Sequence, residues 1–332
     1  MSDAGRGPVV AVVVPCYRTR ERILDVLGGI GREVSRIYVV DDCCPERTGE
    51  WVEQQCQDER VRVLRHERRR GVGGATISGY RRALEDGASV IVKLDGDGQM
   101  DPALIRRVVG PIVSGEADYT KGNRFFRLDD LREMPAVRLI GNSILSFLTK
   151  VSTGYWGIFD PTNGYTAIHH LVLRELPLAK ISAGYFFESD LLFRLGTIRA
   201  VVAEVPMTAR YGGEPSSLNV SRAVGEFLGK HGVNLCKRVF YTYYLRGFNI
   251  ASIELLLGLA ATAFGSSIGA YHWLRSSRLA MDASSGTVML AALPVIVGVQ
   301  LLLAFLSYDM QNVPRTPLHR RLADDPLPRP VA

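Results

Sequence analysis

Two carboxylates and a side-chain amide stand close together in the run Asp-Gly-Asp-Gly-Gln at positions 95–99. Their oxygen atoms are hard ligands of the kind that Mg2+ and Mn2+ prefer. A metal held by Asp95, Asp97 and Gln99 would leave room for a diphosphate and would neutralise its charge. Gly96 keeps the loop uncrowded, so that phosphates could approach the backbone. An acidic loop is also a common solvated turn, so the interpretation depends on what positions the motif.

Apolar, β-branched runs place this motif in a larger pattern. They predict buried parallel strands at residues 9–14, 35–40, 61–64 and 88–94. Segments of helical length lie between them at residues 20–34, 48–58 and 74–86. This alternation predicts an α/β, Rossmann-like fold with a mostly parallel sheet and helices on both faces.

Polar residues follow three of the predicted strands at the points where they end. They are Pro15 and Tyr17, then Asp41 and Asp42, then Asp95 and Asp97. Ligands of such sheets bind outside the carboxyl ends of the strands, so we expect all of these residues to line one site. The stretch 68–74 opens a helix, and its arginines and backbone N–H groups, with Gly73 among them, could hold a diphosphate.

Two long apolar runs follow near the C-terminus, and residues 255–274 and 286–308 contain no charged side chain. Each run can cross a hydrocarbon core of ~30 Å as a helix, which predicts transmembrane helices at about 250–274 and 286–308. Buried core helices are the alternative. Residues 217–248 mix basic, aromatic and apolar side chains. They predict amphipathic helices in the headgroup layer, or else a basic helix packed on the soluble domain.

The chain therefore divides into a folded domain at 1–216, interfacial helices at 217–248, membrane helices at 249–310 and a basic tail at 311–332. Two spans return the tail to the side of the folded domain, and we expect both on the cytoplasmic side of an inner membrane. Five cysteines without a C-x-x-C pair suit a reducing compartment. The apolar run at 9–14 is too short for a signal-peptide core.

Charge limits the possible partners without naming one. Forty Lys and Arg residues against 34 Asp and Glu residues give a net charge of +6. This surplus suits anionic lipids or phosphorylated substrates. We expect no nucleic-acid partner, because the basic residues cluster beside the apolar runs and no nucleic-acid-binding motif occurs. The sequence also lacks the dinucleotide fingerprint and the Walker lysine motif, which disfavours hydride and ATP chemistry.

Taken together, the motifs resemble those of family-two glycosyltransferases of the GT-A fold, and most of all the dolichyl- or polyprenyl-phosphate sugar synthases. The likeness covers about residues 8–220. It is carried by Val12-Val-Val-Pro-Cys-Tyr17, Val39-Val-Asp-Asp-Cys-Cys44, Gly71-Val-Gly-Gly-Ala75, Leu94-Asp-Gly-Asp-Gly-Gln-Met-Asp-Pro102, Gly122-Asn-Arg-Phe125, Asp160-Pro-Thr-Asn-Gly-Tyr165 and Phe187-Glu188.

The resemblance implies roles for individual residues. Asp41 or Asp42 would contact the base or ribose of a nucleotide, and Asp95, Asp97 and Gln99 would hold Mg2+ or Mn2+. Arg124 and Arg138 would bind phosphate, namely that of an acceptor lipid. Asp160 and Glu188 are the candidate carboxylates near the reacting oxygen, where they would act as base or position the substrate. Arg210 would supply a further phosphate contact or else be structural.

Several departures from the family pattern leave the base and the acceptor open. They are Arg18-Thr19 after the first strand, Cys43-Cys44 after the second, and Gly213-Glu-Pro-Ser-Ser217 in place of a loop that usually ends in a basic residue. We interpret the two cysteines as packing residues. His66, His169 and His170 have no assigned role.

The resemblance therefore predicts an inverting enzyme that moves a sugar from a UDP- or GDP-sugar to polyprenyl phosphate. One alternative is a transferase that uses the same donor site to extend a lipid-linked oligosaccharide or a surface polysaccharide. Another is a non-catalytic membrane scaffold. Homo-oligomerisation is left open.

Overall fold

The computed structural model describes residues 7–126, 136–208 and 220–323, and for 136–140 and 220–224 it describes the backbone alone. The chain forms two compact units. One comprises residues 1–235 and 314–332, and the other comprises residues 236–313. Arg210 lies outside the described residues, as does the side chain of Arg138.

The first half of unit 1 alternates strand and helix, as the apolar periodicity predicts. Its elements are β1 (Val10–Cys16), α1 (Ile23–Gly28), β2 (Arg36–Asp41), α2 (Thr48–Gln55), β3 (Val61–Arg65), α3 (Gly71–Glu85) and β4 (Val90–Lys93). The four strands pair in parallel, with β1 between β2 and β4. Helix α1 is shorter than the predicted 20–34, because it stops at Gly28 before a second glycine.

The second half completes the sheet with mixed pairing. Its elements are a 3-10 turn (Pro102–Leu104), α4 (Ile105–Val113), β5 (Tyr119–Asn123), α5 (Ala136–Thr153), β6 (Thr166–His169), α6 (His170–Arg174), a 3-10 turn (Leu178–Lys180), α7 (Phe187–Thr197) and β7 (Val202–Pro206). Within the described ranges, seven strands form one sheet in the order β3-β2-β1-β4-β6-β5-β7. Strand β6 runs antiparallel to both of its neighbours.

The core of unit 1 packs against this sheet. Val12 and Val14 of β1 and Val92 of β4 are fully buried, and Ile23 and Leu27 of α1 cover them. The burial of β1 on both faces explains why its sequence is apolar without alternation. Such packing fixes the strand ends, from which the polar residues emerge.

Helix α8 (Val220–Phe240) follows unit 1, and its first part packs on it. His231 Nδ1 lies 2.8 Å from Ser152 Oγ of α5, and the His231 ring meets Phe186 edge to face. Asn234 donates to Asp190 of α7. The segment up to residue 235 therefore packs against α5 and α7, as in the alternative of a basic helix packed on the folded domain. The interfacial location of residues 217–248 stays a prediction.

Unit 2 is a helical hairpin that opens with a π-helical turn (Tyr241–Arg246). Helices α9 (Ile250–Leu279) and α10 (Ser285–Gln311) are long and apolar enough to cross a membrane, and few of their residues are buried. The two helices approach closely at small residues. A Cβ atom added at Gly298 would lie 2.3 Å from Thr262 Oγ1. Asp309 receives hydrogen bonds from Arg238 and from the Tyr243 hydroxyl, both at 2.6 Å.

The segment after the hairpin returns to unit 1 and ends in α11 (Leu318–Ala323). The fully buried Asp118 carboxylate, just before β5, accepts from the backbone N–H groups of Leu318 and His319. The His319 ring stacks on His169 with centroids 4.3 Å apart. Burial lowers the pKa of His169 to about 3, so this previously unassigned histidine is a neutral packing partner of the C-terminal segment.

Candidate active site

The structure brings the three predicted polar groups to one edge of the sheet. Cys16 at the end of β1 is in register with Asp41 at the end of β2. On the other side of β1, Val13 is in register with Lys93 at the end of β4. Asp95 and Asp97 follow β4 directly, so the ends of these strands form a common rim.

The residues of the metal motif fit a divalent cation. Asp95 Oδ1 is contacted by Lys93 Nζ at 2.7 Å, whereas Oδ2 accepts no hydrogen bond among the described residues. Asp97 Oδ1 accepts from the Gln99 backbone N–H at 3.0 Å, and Gly98 turns the loop with φ of +76°. The described residues contain no group of three His, Cys, Asp or Glu side chains able to hold a metal. A bound ion would therefore need oxygens from a ligand such as a diphosphate.

Asp41 and Asp42 have structural roles that the sequence did not predict. Asp41 accepts from the backbone N–H groups of Cys44 and Gly49 at 2.7 and 2.6 Å, at the start of α2. Asp42 accepts from those of Arg70 and Gly71 at 2.8 and 2.7 Å, at the start of α3. Both carboxylates thus compensate the positive ends of helices. Their contact with a base or ribose stays a prediction.

His66, which had no assigned role, belongs to the same rim. Its Nδ1 lies 2.7 Å from Asp42 Oδ1, and its Nε2 lies 2.9 Å from Ser78 Oγ on α3. The side chain is only 6% exposed. His66 therefore links the end of β2 to α3 and orients Asp42. An isolated histidine gives no sequence signal for such a contact.

The glycines that open α3 serve close packing in this conformation. A side chain at Gly73 would lie 2.4 Å from the Ser182 carbonyl oxygen and 2.9 Å from Phe187 Cβ. The N–H groups of Arg70 and Gly71 are used by Asp42, and that of Gly74 donates to the Ala183 carbonyl. Three backbone N–H groups of the stretch predicted to hold a diphosphate are thus engaged by the protein itself. The place of Gly73 in the nucleotide site stays a prediction.

One arginine of this stretch, Arg69, lies at the rim beside Tyr17, together with Arg18. The Arg69 guanidinium lies 4.0 Å from the centroid of the Tyr17 ring, and that of Arg18 lies 5.6 Å from it. Tyr17 thereby holds two cations beside the end of β1. This cluster offers positive charge and an aromatic face near the carboxylates of the metal motif.

Arg124, which was predicted to bind the acceptor phosphate, pairs with Asp160, one of the candidate carboxylates near the reacting oxygen. The Arg124 guanidinium binds the fully buried Asp160 carboxylate at two points, with N–O distances of 2.8 and 3.0 Å. Glu204, which the sequence interpretation missed, accepts from the backbone N–H groups of Phe159 and Asp160. Burial raises the pKa of Glu204. Asp160 is thus held on both its backbone and its side chain.

Glu188 is linked to the metal motif by Lys93, which contacts both Glu188 and Asp95. It lies at the start of α7, and its Oε1 is 3.2 Å from Lys93 Nζ, the same ammonium that contacts Asp95. Burial alone would lower the pKa of Lys93, but the Asp95 and Glu188 carboxylates outweigh burial and raise it. The ammonium therefore stays charged. One sequence signal pointed to it, since Lys93 is the charged residue in the otherwise apolar run Val90-Ile-Val-Lys93.

Only one of the two adjacent cysteines, Cys44, has the packing role that was expected for both. Cys44 is buried, and its sulfur accepts from the Arg18 backbone N–H at 3.1 Å. It also lies 3.1 Å from Thr48 Oγ1. Cys43 is exposed, with a positive φ of 54°.

Comparison with known proteins establishes the class. A family model described as Glycosyl transferase family 2 matches residues 11–176. An undecaprenyl-phosphate mannosyltransferase of Micrococcus luteus is 31% identical over 232 residues, which cover 69% of this chain and 93% of that protein. A polyprenol monophosphomannose synthase of Mycolicibacterium smegmatis is 31% identical over 202 residues, which cover 59% and 76%. The chain therefore belongs to glycosyltransferase family 2.

Solved structures confirm the fold. Glucosyl-3-phosphoglycerate synthase of Mycobacterium tuberculosis, in complex with Mn2+, UDP and glucosyl-3-phosphoglycerate, aligns with a TM-score of 0.52 and 20% identity. The alignment covers 70% of this chain and 80% of that chain. Unit 1 therefore has the GT-A-like mixed α/β fold that the sequence resemblance implied.

Proposed function

We propose that this glycosyltransferase is a membrane-bound, metal-dependent, inverting enzyme that moves a sugar from a UDP- or GDP-sugar to polyprenyl phosphate. One observation carries the proposal. The Asp95 and Asp97 carboxylates stand at the rim of a family-two catalytic unit whose chain continues into two long apolar helices. The relatives named for undecaprenyl phosphate and polyprenol support the class of acceptor.

The donor side follows from the residues at the rim. Asp95 through Oδ2, Asp97 and Gln99 would hold Mg2+ or Mn2+, which would act as a Lewis acid on the departing diphosphate. The Mn2+ and UDP bound by the solved structural neighbour support this assignment. Tyr17 with its two arginines offers a surface for the nucleotide, and Arg69 adds positive charge for its phosphates.

The acceptor phosphate needs little help from a general base of the protein. A phosphate oxygen is already ionised at neutral pH, so it can attack the anomeric carbon in line without a strong base. The ion pairs of the two candidate carboxylates are consistent with this, because Asp160 is paired with Arg124 and Glu188 is paired with Lys93. We therefore assign both to positioning and to the electrostatics of the site.

A lipid acceptor accounts for the apolar helices. Helices α9 and α10 would anchor the enzyme in the cytoplasmic (inner) membrane as a multi-pass protein, with the catalytic unit and the C-terminus on the cytoplasmic side. The basic helix α8 would lie near anionic headgroups. An enzyme held at the surface in this way meets a substrate that is itself confined to the bilayer.

Transfer of label tests the proposal. Purified full-length protein is incubated with undecaprenyl phosphate, Mn2+ or Mg2+, and each of a panel of radiolabelled UDP-, GDP- and dTDP-sugars. At least one donor should label the lipid. Asp97→Ala should abolish labelling while keeping the thermal midpoint. The matched control is Asp25→Ala, at an exposed position on α1, and it should retain labelling.

The panel also separates the alternatives. Failure of every donor to label undecaprenyl phosphate would refute the acceptor assignment. Labelling of a lipid-linked oligosaccharide alone would identify an extending transferase with the same donor site. Absence of any metal-dependent binding of UDP or GDP would favour a non-catalytic scaffold.

A further inference from the structure

Lys93 is an ammonium group buried in the floor of the site. Its residue is 1% exposed, and Nζ donates to Asp95 Oδ1 at 2.7 Å, to Glu188 Oε1 at 3.2 Å and to the Gly164 carbonyl at 3.3 Å. A lysine ammonium has three N–H donors, so all of them have acceptors. Lys93 thereby joins the metal motif, the start of α7 and the loop before β6.

Lys121 on β5 is a second buried ammonium on the same face of the sheet. Strand register pairs Lys93 with Thr166 of β6, and pairs Thr166 in turn with Lys121. Residues directly opposite each other on paired strands point to the same face. The Lys121 residue is fully buried, and its Nζ donates to the Asn163 carbonyl. The two lysines thus hold consecutive carbonyl groups, at positions 163 and 164.

The held loop is the one that carries Asp160. It runs from Asp160, clamped by Arg124 at one end, to Gly164, which contacts the metal motif at the other. A side chain at Gly164 would lie 2.5 Å from Lys93 Nζ and 2.6 Å from Asp95 Oδ2. The loop therefore packs directly against the oxygen left open for a cation. A shift of the loop would displace Asp160 and would also change the packing around Asp95.

A contribution to the stability of the fold does not explain why these two charges are buried. Desolvating an ion costs several kcal/mol, and well-packed apolar residues often replace buried ion pairs at no loss of stability. Lys121 illustrates the cost, since burial lowers its pKa to about 8 although Glu188 and Asp160 act to raise it. Fixed charges in a site have a different benefit, because groups that are oriented in advance need not reorganise during the reaction.

We propose, resting on the proposed function, that Lys93 and Lys121 are positioning residues for sugar transfer. Together they form a lysine pair that fixes the 160–164 loop relative to the metal motif before any ligand binds. Lys93 holds Asp95 by Oδ1 and leaves Oδ2 for the cation. Lys121 holds the acceptor side of the same loop through the Asn163 carbonyl.

Hydrogen–deuterium exchange of the full-length protein in detergent tests the positioning directly. Lys93→Met and Lys121→Met should each accelerate amide exchange within residues 160–166 by about tenfold or more, which corresponds to about 1.4 kcal/mol of lost local protection. Exchange in β1 and β2 should not change. The exposed Lys180 provides the matched control, and Lys180→Met should exchange as the wild type does throughout.

Kinetics test the consequence for transfer. Lys121→Met should lower kcat by about 100-fold, since small misplacements of reacting groups cost that much, while the donor KM should change by less than about threefold. Lys93→Met should lower kcat to a similar extent and should also change the affinity for Mn2+ measured by calorimetry in the presence of UDP or GDP. A smaller folded fraction would also lower the apparent kcat at constant KM, so kcat is calculated per folded molecule, with the folded fraction taken from thermal unfolding. A purely structural role would leave kcat per folded molecule at the wild-type value.

The outcomes distinguish this inference from the proposed function. Wild-type exchange at residues 160–166 in both lysine variants would overturn the inference, as would faster exchange spread evenly over the chain. If Lys93→Met does not fold, Lys93→Met/Glu188→Gln removes one negative charge together with the lysine and serves for the exchange measurement. A wild type that transfers no sugar refutes the proposed function, while exchange still decides whether the lysine pair fixes the loop.

Discussion

Arg124 and Asp160 form a two-point ion pair, with Nε 2.8 Å from Oδ2 and Nη2 3.0 Å from Oδ1. The Arg124 side chain is 26% exposed, whereas that of Asp160 is completely buried. An acceptor phosphate at Arg124 would therefore share a guanidinium that already neutralises an internal carboxylate. Arg124 thus has a structural role in addition to the phosphate contact predicted for it.

Substitution of the two predicted phosphate ligands should separate these roles. Arg124→Gln should raise the acceptor KM and also destabilise the protein by about 3–5 kcal/mol, because it leaves Asp160 buried without its cation. Arg138→Gln should raise the acceptor KM about tenfold or more, as expected for loss of a charge-assisted contact. Steady-state kinetics and thermal unfolding provide the two measurements. Equal increases in the donor and acceptor KM for Arg138→Gln would contradict the acceptor assignment.

The contact between Gly164 and the metal motif leads to a second prediction. Gly164→Ala would place a Cβ atom 2.6 Å from Asp95 Oδ2 and 2.5 Å from Lys93 Nζ, so these groups must move. We expect transfer to fall by about 100-fold and Mn2+-dependent binding of UDP or GDP to weaken in calorimetry. Gly157→Ala is the matched control, because a Cβ at that position meets no atom within 4 Å. Wild-type affinity in Gly164→Ala would show that Oδ2 of Asp95 does not bind the cation.

The buried Lys121 makes stability depend on pH in a defined window. Burial lowers its pKa from 10.5 to about 8, with Lys93 and Arg124 acting in the same direction and Glu188 and Asp160 opposing them. Between about pH 8 and 10.5 the unfolded chain therefore binds more protons at this residue than the folded protein does. The contribution of Lys121 to the free energy of unfolding should rise with pH across this window, by at most about 1.4 kcal/mol per pH unit.

Lys121→Met isolates this contribution. Thermal unfolding of the wild type and the variant should be compared from pH 6 to 10, because other titrating groups cancel in the difference. Their difference should be constant below about pH 7 and should shift in favour of the wild type above pH 8. Lys180→Met should follow the wild type at every pH. A constant difference between the wild type and Lys121→Met over the whole range would contradict the lowered pKa.

The sequence predicted the rim at the ends of the parallel strands well, because that part of the fold depends on local patterns. Apolar runs predicted β1, β2 and β4, and the rule that ligands bind at strand ends placed Asp41 and Asp95 on one rim. The same reasoning missed what Asp42 does, since its partners at residues 70 and 71 lie far along the chain. Hydrogen bonds from a distant helix start leave no periodic signal in the sequence.

The part of the site beside β5 and β6 was harder to predict, because it is built from antiparallel pairing. Strand β6 enters the sheet between β4 and β5, and only this order places Lys93 and Lys121 on either side of Thr166. Their separation in sequence gives no indication of this arrangement. The pairing of Arg124 with Asp160 was equally hidden, although family resemblance had selected both residues.

The C-terminal segment provides a final prediction, which concerns the stability of unit 1. The Asp118 carboxylate accepts from the N–H groups of Val201, Leu318 and His319 at 2.7 to 2.8 Å, and His319 Nδ1 lies 2.7 Å from its Oδ1. Removal of residues 314–332 would leave this buried charge with the Val201 contact and should destabilise unit 1 by about 3 kcal/mol. The thermal midpoint should fall by roughly 6–12 °C.

A shorter truncation is the matched control for this prediction. Removal of residues 324–332 keeps Leu318 and His319, so it should spare the part of the loss that comes from their contacts with Asp118. Asp118→Asn in the full-length chain should have an intermediate effect, because the amide keeps one acceptor oxygen and loses the charge. Identical midpoints for the two truncations would show that the contacts of Asp118 with the C-terminal segment do not stabilise the catalytic unit.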